Sequence, residues 1–204
     1  MSLSDTQICS KTLVALGQNP IADISDKSVP NAVKCNAVYA SERDALLREF
    51  DWNFARGYAR LPMAKAPDFG WLFRFQLPSD FLAAREVNDE IVVPGMARRW
   101  SLAGQYILTN DSACNLVYTR QILETGLFDP LFVDCLVYRI ARAIAYSITK
   151  KESATQAMHA MYQSIVPTAK RVDSSEQSAK EQDQSHNSSW LQGRGGGSYD
   201  GWRR

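Results

Sequence analysis

The sequence predicts an α+β protein: a helical bundle with a small antiparallel β domain inserted in it and a flexible C-terminal arm. Three observations predict it. Apolar residues recur with the 3.6-residue period of a helix on both sides of the middle of the chain. Between Phe54 and about Arg120 the period shortens toward two, with Pro and Gly punctuation. Residues 173–204 hold seven Ser, five Gly and four Gln but only one aliphatic side chain larger than Ala, too little apolar surface to offset the entropy of ordering. The helical stretches, 1–53 and 121–172, must bury their faces against each other. Residues 54–120 are then the insertion, and 173–204 the arm.

The first helix starts at Ser4, which forms a capping-box pattern with Gln7. Ile8, Cys9, Thr12, Leu13 and Leu16 share one face, Gly17 follows as a C′ residue, and Asn19-Pro20 stops the chain. A second, long helix starts near Ser28 with Pro30 in its first turn and ends near Phe50 or Asp51. Its expected buried stripe is Ala32, Val33, Asn36, Ala37, Ala40, Leu47 and Phe50, with Glu42, Arg43, Arg48 and Glu49 mostly off it. Strands are expected at Phe73–Leu77, Phe81–Val87, Ile91–Val93, Arg98–Leu102, Tyr106–Leu108 and Leu116–Thr119, forming one small sheet or partial barrel. Pro78-Ser79-Asp80, Pro94-Gly95 and Asn110-Asp111 are the turn signals between them. Asp129-Pro130 reads as an N-cap followed by Pro at N1, with Phe128 and Val133 placed as a hydrophobic staple. Leu131, Phe132, Cys135, Leu136, Ile140, Ala143, Ile144 and Ile148 then form a wide apolar face. Ser153 is placed to cap a last helix through Ala157, Met161 and Ile165, with Pro167 as a bend or break and helix resuming toward Ala179.

Composition narrows the function. Of the 204 residues, 45% are apolar and 22% charged, as in soluble globular proteins. No apolar run approaches the roughly 18 residues needed to span a bilayer, and Met1–Asp5 carries no basic or apolar leader segment, so neither membrane insertion nor a secretory signal is expected. The formal charge is +1, which disfavours a protein that grips nucleic acid electrostatically. Cys9, Cys35, Cys114 and Cys135 are far apart and the two histidines, His159 and His186, stand alone. Reduced, buried thiols and no metal site are expected. No phosphate-binding glycine loop or nucleophile elbow is present: Gly193-Arg194-Gly195-Gly196-Gly197 follows no strand. No catalytic, cofactor-binding or metal residue is therefore expected. Two features point elsewhere. Asp68, Asp80, Glu86, Asp89 and Glu90 in the β domain could serve a glycan hydrolase, a chemistry that needs two carboxylates across the scissile bond. Arg98-Arg99-Trp100 and Trp202-Arg203-Arg204 pair cations with an aromatic ring, as a DNA-binding module would.

One stretch carries a more specific signal. Tyr39–Leu61, with Arg43-Asp44, Leu46-Leu47-Arg48 and Trp52-Asn53-Phe54-Ala55, is followed by Phe69–Leu82 with its aromatic strand and Leu-Pro-Ser-Asp. Tyr106–Asn110, Leu116–Ile122 and Phe128–Thr149 come next. In this order the blocks, over about residues 4–170, resemble the tail tubular protein A family, the head-to-tail adaptors of short-tailed bacteriophages. The resemblance implies a structural virion protein and not an enzyme. It would sit at the head–tail junction after assembly in the host cytoplasm, in a homo-oligomeric ring, of twelve subunits in the family. The implied partners are the portal protein above, the tail nozzle (tail tubular protein B) below, and double-stranded DNA passing through the lumen without sequence-specific binding. No membrane is involved. Trp52, Phe54, Trp71, Phe73 and Phe75 become core or interface anchors where helices meet the sheet. Arg43, Asp44 and Arg48 become candidates for inter-subunit ion pairs or a solvated helix face. In the arm, Trp190, Tyr199, Trp202, Arg203 and Arg204 become portal-docking candidates. A virion-associated glycan hydrolase using the β-domain carboxylates is the alternative.

Overall fold

A computed structural model describes residues 3–93, 95 and 98–176. The arm from residue 177 onward, with Trp190, Tyr199, Trp202, Arg203, Arg204, His186 and the glycine run, lies outside the described residues.

Helix α1 is Asp5–Ala15. The Gln7 N–H donates to Ser4 Oγ at 3.3 Å and the Ser4 N–H donates to Gln7 Oε1 at 2.9 Å, so the capping box is present. At the other end Gly17 takes φ +70°. Its N–H reaches the Val14 carbonyl and the Gln18 N–H the Leu13 carbonyl, both at 2.9 Å, a Schellman closure that needs the left-handed residue.

Helix α2 is Pro30–Glu49. Its N-cap is Val29, while the Ser28 hydroxyl donates instead to Asp26 Oδ1 at 2.6 Å. The buried line is Ala32, Cys35, Tyr39, Arg43, Leu46 and Leu47. Val33, Asn36, Ala37 and Ala40, expected on the core side, are exposed. The physical reason is that Ala and Asn exert little pull toward either side, so the phase is decided by Tyr39, Leu46 and Leu47. Arg43 is carried onto the core line with them, against the expectation that it lies off it.

Helix α3 is Pro130–Thr149, capped by Asp129, whose Oδ1 accepts from the Leu131 and Phe132 N–H groups at 2.8 and 3.3 Å. It buries Phe132, Val133, Cys135, Leu136, Val137, Ile140, Ala141, Ile144 and Ala145; Ala143 faces solvent. Helix α4 is Glu152–Glu176. Ser153 lies inside its first turn and so is no N-cap. Pro167 sits within the helix without dividing it, on the exposed side. Its buried line is Tyr162, Val166, Ala169 and Asp173, with Ala157 and Met161 exposed. Residues 173–176, expected to open the arm, are the last turn of this helix.

The β segment has eight strands: β1 Arg56–Arg60, β2 Met63–Ala64, β3 Phe73–Gln76, β4 Phe81–Val87, β5 Glu90–Ile91, β6 Trp100–Ala103, β7 Tyr106–Thr109 and β8 Asn115–Arg120. They form two four-stranded antiparallel sheets, in the orders β1-β8-β4-β5 and β2-β3-β7-β6, in place of the single sheet or partial barrel expected. Both sheets feed one core: Ala84, Val87, Leu116 and Tyr118 from the first, Phe75, Trp100 and Ile107 from the second. In β1 the partner strand passes so close over Gly57 that a Cβ there would lie 2.6 Å from Arg120 Cγ and 2.7 Å from Tyr118 Cε1, which is why this position carries no side chain.

The helices enclose a separate core in which α1, α2, α3 and α4 all take part. Ile8, Leu13, Leu46, Leu47, Trp52, Phe132, Leu136 and Ile140 are its large, fully buried members. The chain thus folds around two hydrophobic centres, one helical and one of strands. Ile122 and the partly buried Leu82 join the β segment to the helical one.

Candidate functional site

The polar groups converge where the helices meet the first sheet. Arg85 on β4 reaches across to the C-terminal end of α2. Its Nη2 donates to the carbonyls of Phe50 at 2.6 Å, Arg48 at 3.0 Å and Leu47 at 3.5 Å. Its Nε donates to Thr119 Oγ1 on β8 at 2.7 Å and lies 3.7 Å from Asp51. A helix end leaves unpaired carbonyls and partial negative charge, and one guanidinium here answers both. Burial draws the Arg85 pKa down from the usual arginine range, and Asp51 opposes that. Asp51 also pairs with Arg56 at 2.8 Å. Beside this knot, Gln121 Nε2 donates to Asp44 Oδ2 at 2.6 Å, and Arg48 Nη1 to the Leu82 carbonyl at 3.2 Å.

Aromatic packing backs the seam. Trp52 is fully buried, donates its indole N–H to the Leu46 carbonyl at 3.0 Å and meets Phe50 and Phe132 edge-on, with centroids 5.2 Å apart in each case. Phe54 packs on Phe132 at 5.0 Å and Phe128 at 6.0 Å. These two sit where helices and strands join, while Phe73 and Phe75 belong to the β core and Trp71 lies in the loop before β3. Arg43 is buried and pairs with its neighbour Asp44 at 2.8 Å, so both groups have partners within the chain.

A second polar cluster clamps the helices together. Arg139 of α3 holds Glu42 at 2.7 Å and Glu49 at 2.6 Å, both on α2, and donates to the Tyr162 hydroxyl of α4 at 3.0 Å. Tyr162 in turn donates to Glu49 at 2.9 Å, and Lys170 reaches Glu49 at 3.2 Å. Burial pushes the Glu49 carboxyl up, but hydrogen bonds from Tyr162, Lys170 and Arg139 outweigh it and hold the group below the ordinary range.

The end of α4 is latched to the same region. Asp173 accepts the Asn53 N–H at 3.1 and 3.2 Å, and Asn53 Nδ2 donates to the Asp173 carbonyl at 2.5 Å. Burial pushes the Asp173 carboxyl up to about 6; the Asn53 N–H opposes this, and Asp129, Glu176 and Asp51 add to it. The folded value lies above the unfolded one of about 3.9. Folding then takes up a proton between those two values, and stability falls as pH rises through about 6. In Asp173→Asn that contribution should vanish while the bond from Asn53 survives. Urea unfolding at pH 4, 5, 6 and 7 should show the wild type losing on the order of 2 kcal/mol relative to the variant over that window. Parallel curves would show that Asp173 does not titrate there.

The structure scatters the β-segment carboxylates. Asp80 accepts from the Tyr118 hydroxyl at 3.0 Å, and Asp68 lies exposed in the loop after β2. Glu90 accepts weakly from the Arg99 N–H at 3.5 Å. Only Glu86 and Asp89 of the five share a cleft among those described, an open one of about 380 Å³ with Tyr58, Arg60 and Asn115. Arg98 stacks on Trp100 at 5.1 Å. The four cysteines are free and buried. Among the described residues no group of His, Cys, Asp and Glu could hold a metal ion, and no helix is long and apolar enough to cross a membrane.

The contacts that sequence reasoning missed are Arg85, Arg139 and Asp173, each a charged residue inside an apolar pattern. In comparisons with known proteins, no family model and no curated protein matches this chain.

Proposed function

We propose that this chain is a structural head-to-tail adaptor subunit of a short-tailed phage virion. Copies form a ring, of twelve subunits on the resemblance, that joins the portal protein to the tail nozzle and continues the DNA channel. What supports the reading most is the layout: a helical unit with a complete core of its own, interrupted by a β unit with a second core. The resemblance of the ordered sequence blocks implies the same layout. An adaptor acts by presenting several faces in a fixed relation, and the two-core architecture, tied by Arg85, Asp51 and Gln121, supplies a stiff joint between two such faces. Ring closure requires heterologous contacts, two different faces on every subunit. The near-neutral charge suits a lumen that lets DNA slide, because tight phosphate contacts would hold it.

The arm is the portal-docking element in this reading. It follows α4 in sequence and carries Trp190, Tyr199, Trp202, Arg203 and Arg204. Aromatic side chains spaced by glycines can each fill a pocket on a partner. Removing residues 186–204 should leave the circular dichroism and melting curve of the body unchanged while weakening attachment to the portal by at least about a hundredfold. Unchanged attachment by the truncated chain would show that the arm does not dock.

A further inference from the structure

Among the described residues, no strand pairs with the outer edges of the β segment on two opposite flanks. β1 and β2, joined through residues 61 and 62, are edge strands on one side of their two sheets; β5 and β6 are edge strands on the other. β5 and β6 lie together there, since the Arg99 N–H before β6 meets Glu90 of β5. The large apolar side chains that the β segment exposes, among its described residues, include some on each flank. Tyr58 and Met63 lie on β1 and β2, with Phe69 and Leu72 in the loop that leaves β2 and runs over the sheet end to Asn110; Ile91, Val93 and Leu102 lie on β5, just after it or on β6. Phe69 is 88% exposed and Ile91 70%, a wide separation from the buried state for such side chains.

We propose that copies of this chain join flank to flank, the β1/β2 edge of one against the β5/β6 edge of the next. The inference rests on the ring reading above and names its contact surface. Three features of the fold argue for a second copy as the occupant. Both sheets have four antiparallel strands, so stepping sideways by one whole sheet brings β1 beside β5 and β2 beside β6 in antiparallel sense again. The contact is heterologous, the kind that a ring requires.

Charge matches level by level. In the first sheet Arg60 is paired with Asn115, Leu116 with Val87, and Val87 with Glu90. Arg60 on one flank therefore stands at the same end as Asp89 and Glu90 on the other. In the second sheet Phe73 and Trp100 both pair with Thr109. The loop carrying Asp68 is then level with Arg98 and Arg99; Lys65 at the start of that loop is its charge of the other sign. The sideways step sets Arg60 against Asp89 and Glu90, and Asp68 against Arg98 and Arg99, around the apolar side chains. Complementary charge fixes the register of such a contact, and like charges in it repel.

The test is sedimentation velocity of the full chain over a concentration series, with Arg60→Glu, Glu90→Arg, the double reversal and Phe69→Asp, each checked for an unchanged melting curve. Phe69 and Arg60 are exposed, and the melting curve shows whether each reversal leaves the fold intact. The wild type should self-associate. Each single reversal and Phe69→Asp should weaken association by at least about tenfold, and the double reversal should restore most of it. Association of the wild type with no effect of the variants would overturn the flank contact and leave the ring reading standing, with its interface elsewhere. A wild type that stays monomeric at the highest concentration reached would overturn the flank contact, while the ring reading is decided separately by the mass of the complex with the portal.

Discussion

Replacing Trp52 by alanine is expected to cost about 4 kcal/mol of stability, the upper part of the range for a fully buried aromatic. The side chain is wholly enclosed and touches Phe50, Phe54 and Phe132. Its deletion opens a cavity where the chain passes from α2 into the β segment. It also strands the Leu46 carbonyl, which loses the indole N–H that now donates to it at 3.0 Å. Trp52→Phe separates the two effects: it retains most of the apolar volume and gives up the hydrogen bond, so its cost should be about 1–2 kcal/mol. Urea unfolding followed by circular dichroism measures both. Equal losses in the two variants would mean that the hydrogen bond, and not the packing, dominates.

Arg85→Met should cost about 3 kcal/mol and, more tellingly, loosen the joint between the two cores. Its guanidinium now serves the carbonyls of Leu47, Arg48 and Phe50, the hydroxyl of Thr119 and the carboxylate of Asp51. Removing the guanidinium leaves the helix-end carbonyls and the Thr119 hydroxyl without it in poor solvent, while Asp51 keeps Arg56. Arg85→Lys should recover only part of the loss, since an ammonium is a point charge and cannot span Thr119 and the helix end together as the planar fork does. In native-state hydrogen exchange the last turn of α2 and strands β4 and β8 should exchange faster in Arg85→Met, while the middle of α3 keeps its protection. Uniform loss of protection would mean that Arg85 supports global stability without acting as a joint.

How far the sequence was legible depended on the kind of signal. Caps were legible because they are local chemistry: Ser4 with Gln7, and Asp129 before Pro130, stand where expected. The turn signal Pro78-Ser79-Asp80 marked the start of β4 at Phe81, where the strand begins. Strand β1 escaped because Arg-Gly-Tyr-Ala-Arg buries only its smallest residue fully, Gly57, and that fact depends on Arg120 and Tyr118 from a distant strand. The division into two sheets escaped for the same reason, since pairing partners are long-range. In α2 and α4 the helix was legible but its rotation was not. Alanines occupy both sides, while Arg43 and Asp173, charged residues on the core lines, carry the pattern the other way. Arg43 is tolerated there because the adjacent Asp44 pairs with it, and Asp173 because the Asn53 backbone, 120 residues away, meets it, a partner that no window of sequence shows.

Of the candidate site, the aromatic anchors Trp52 and Phe54 were legible at the helix–strand junction. The charged joint was not. Arg85 lies where β4 shifts register, in a strand whose polar and apolar residues do not alternate, and its targets are main-chain carbonyls at the end of a helix 35 residues away in sequence.

The adaptor reading meets its most direct test in the mass of the complex between the full chain and its portal protein, measured by light scattering after size-exclusion chromatography. With 22.9 kDa per subunit, a closed ring of twelve adds about 275 kDa to the portal, as one discrete species. That step is the predicted result. No binding, or substoichiometric binding of single copies without a closed ring, would contradict it.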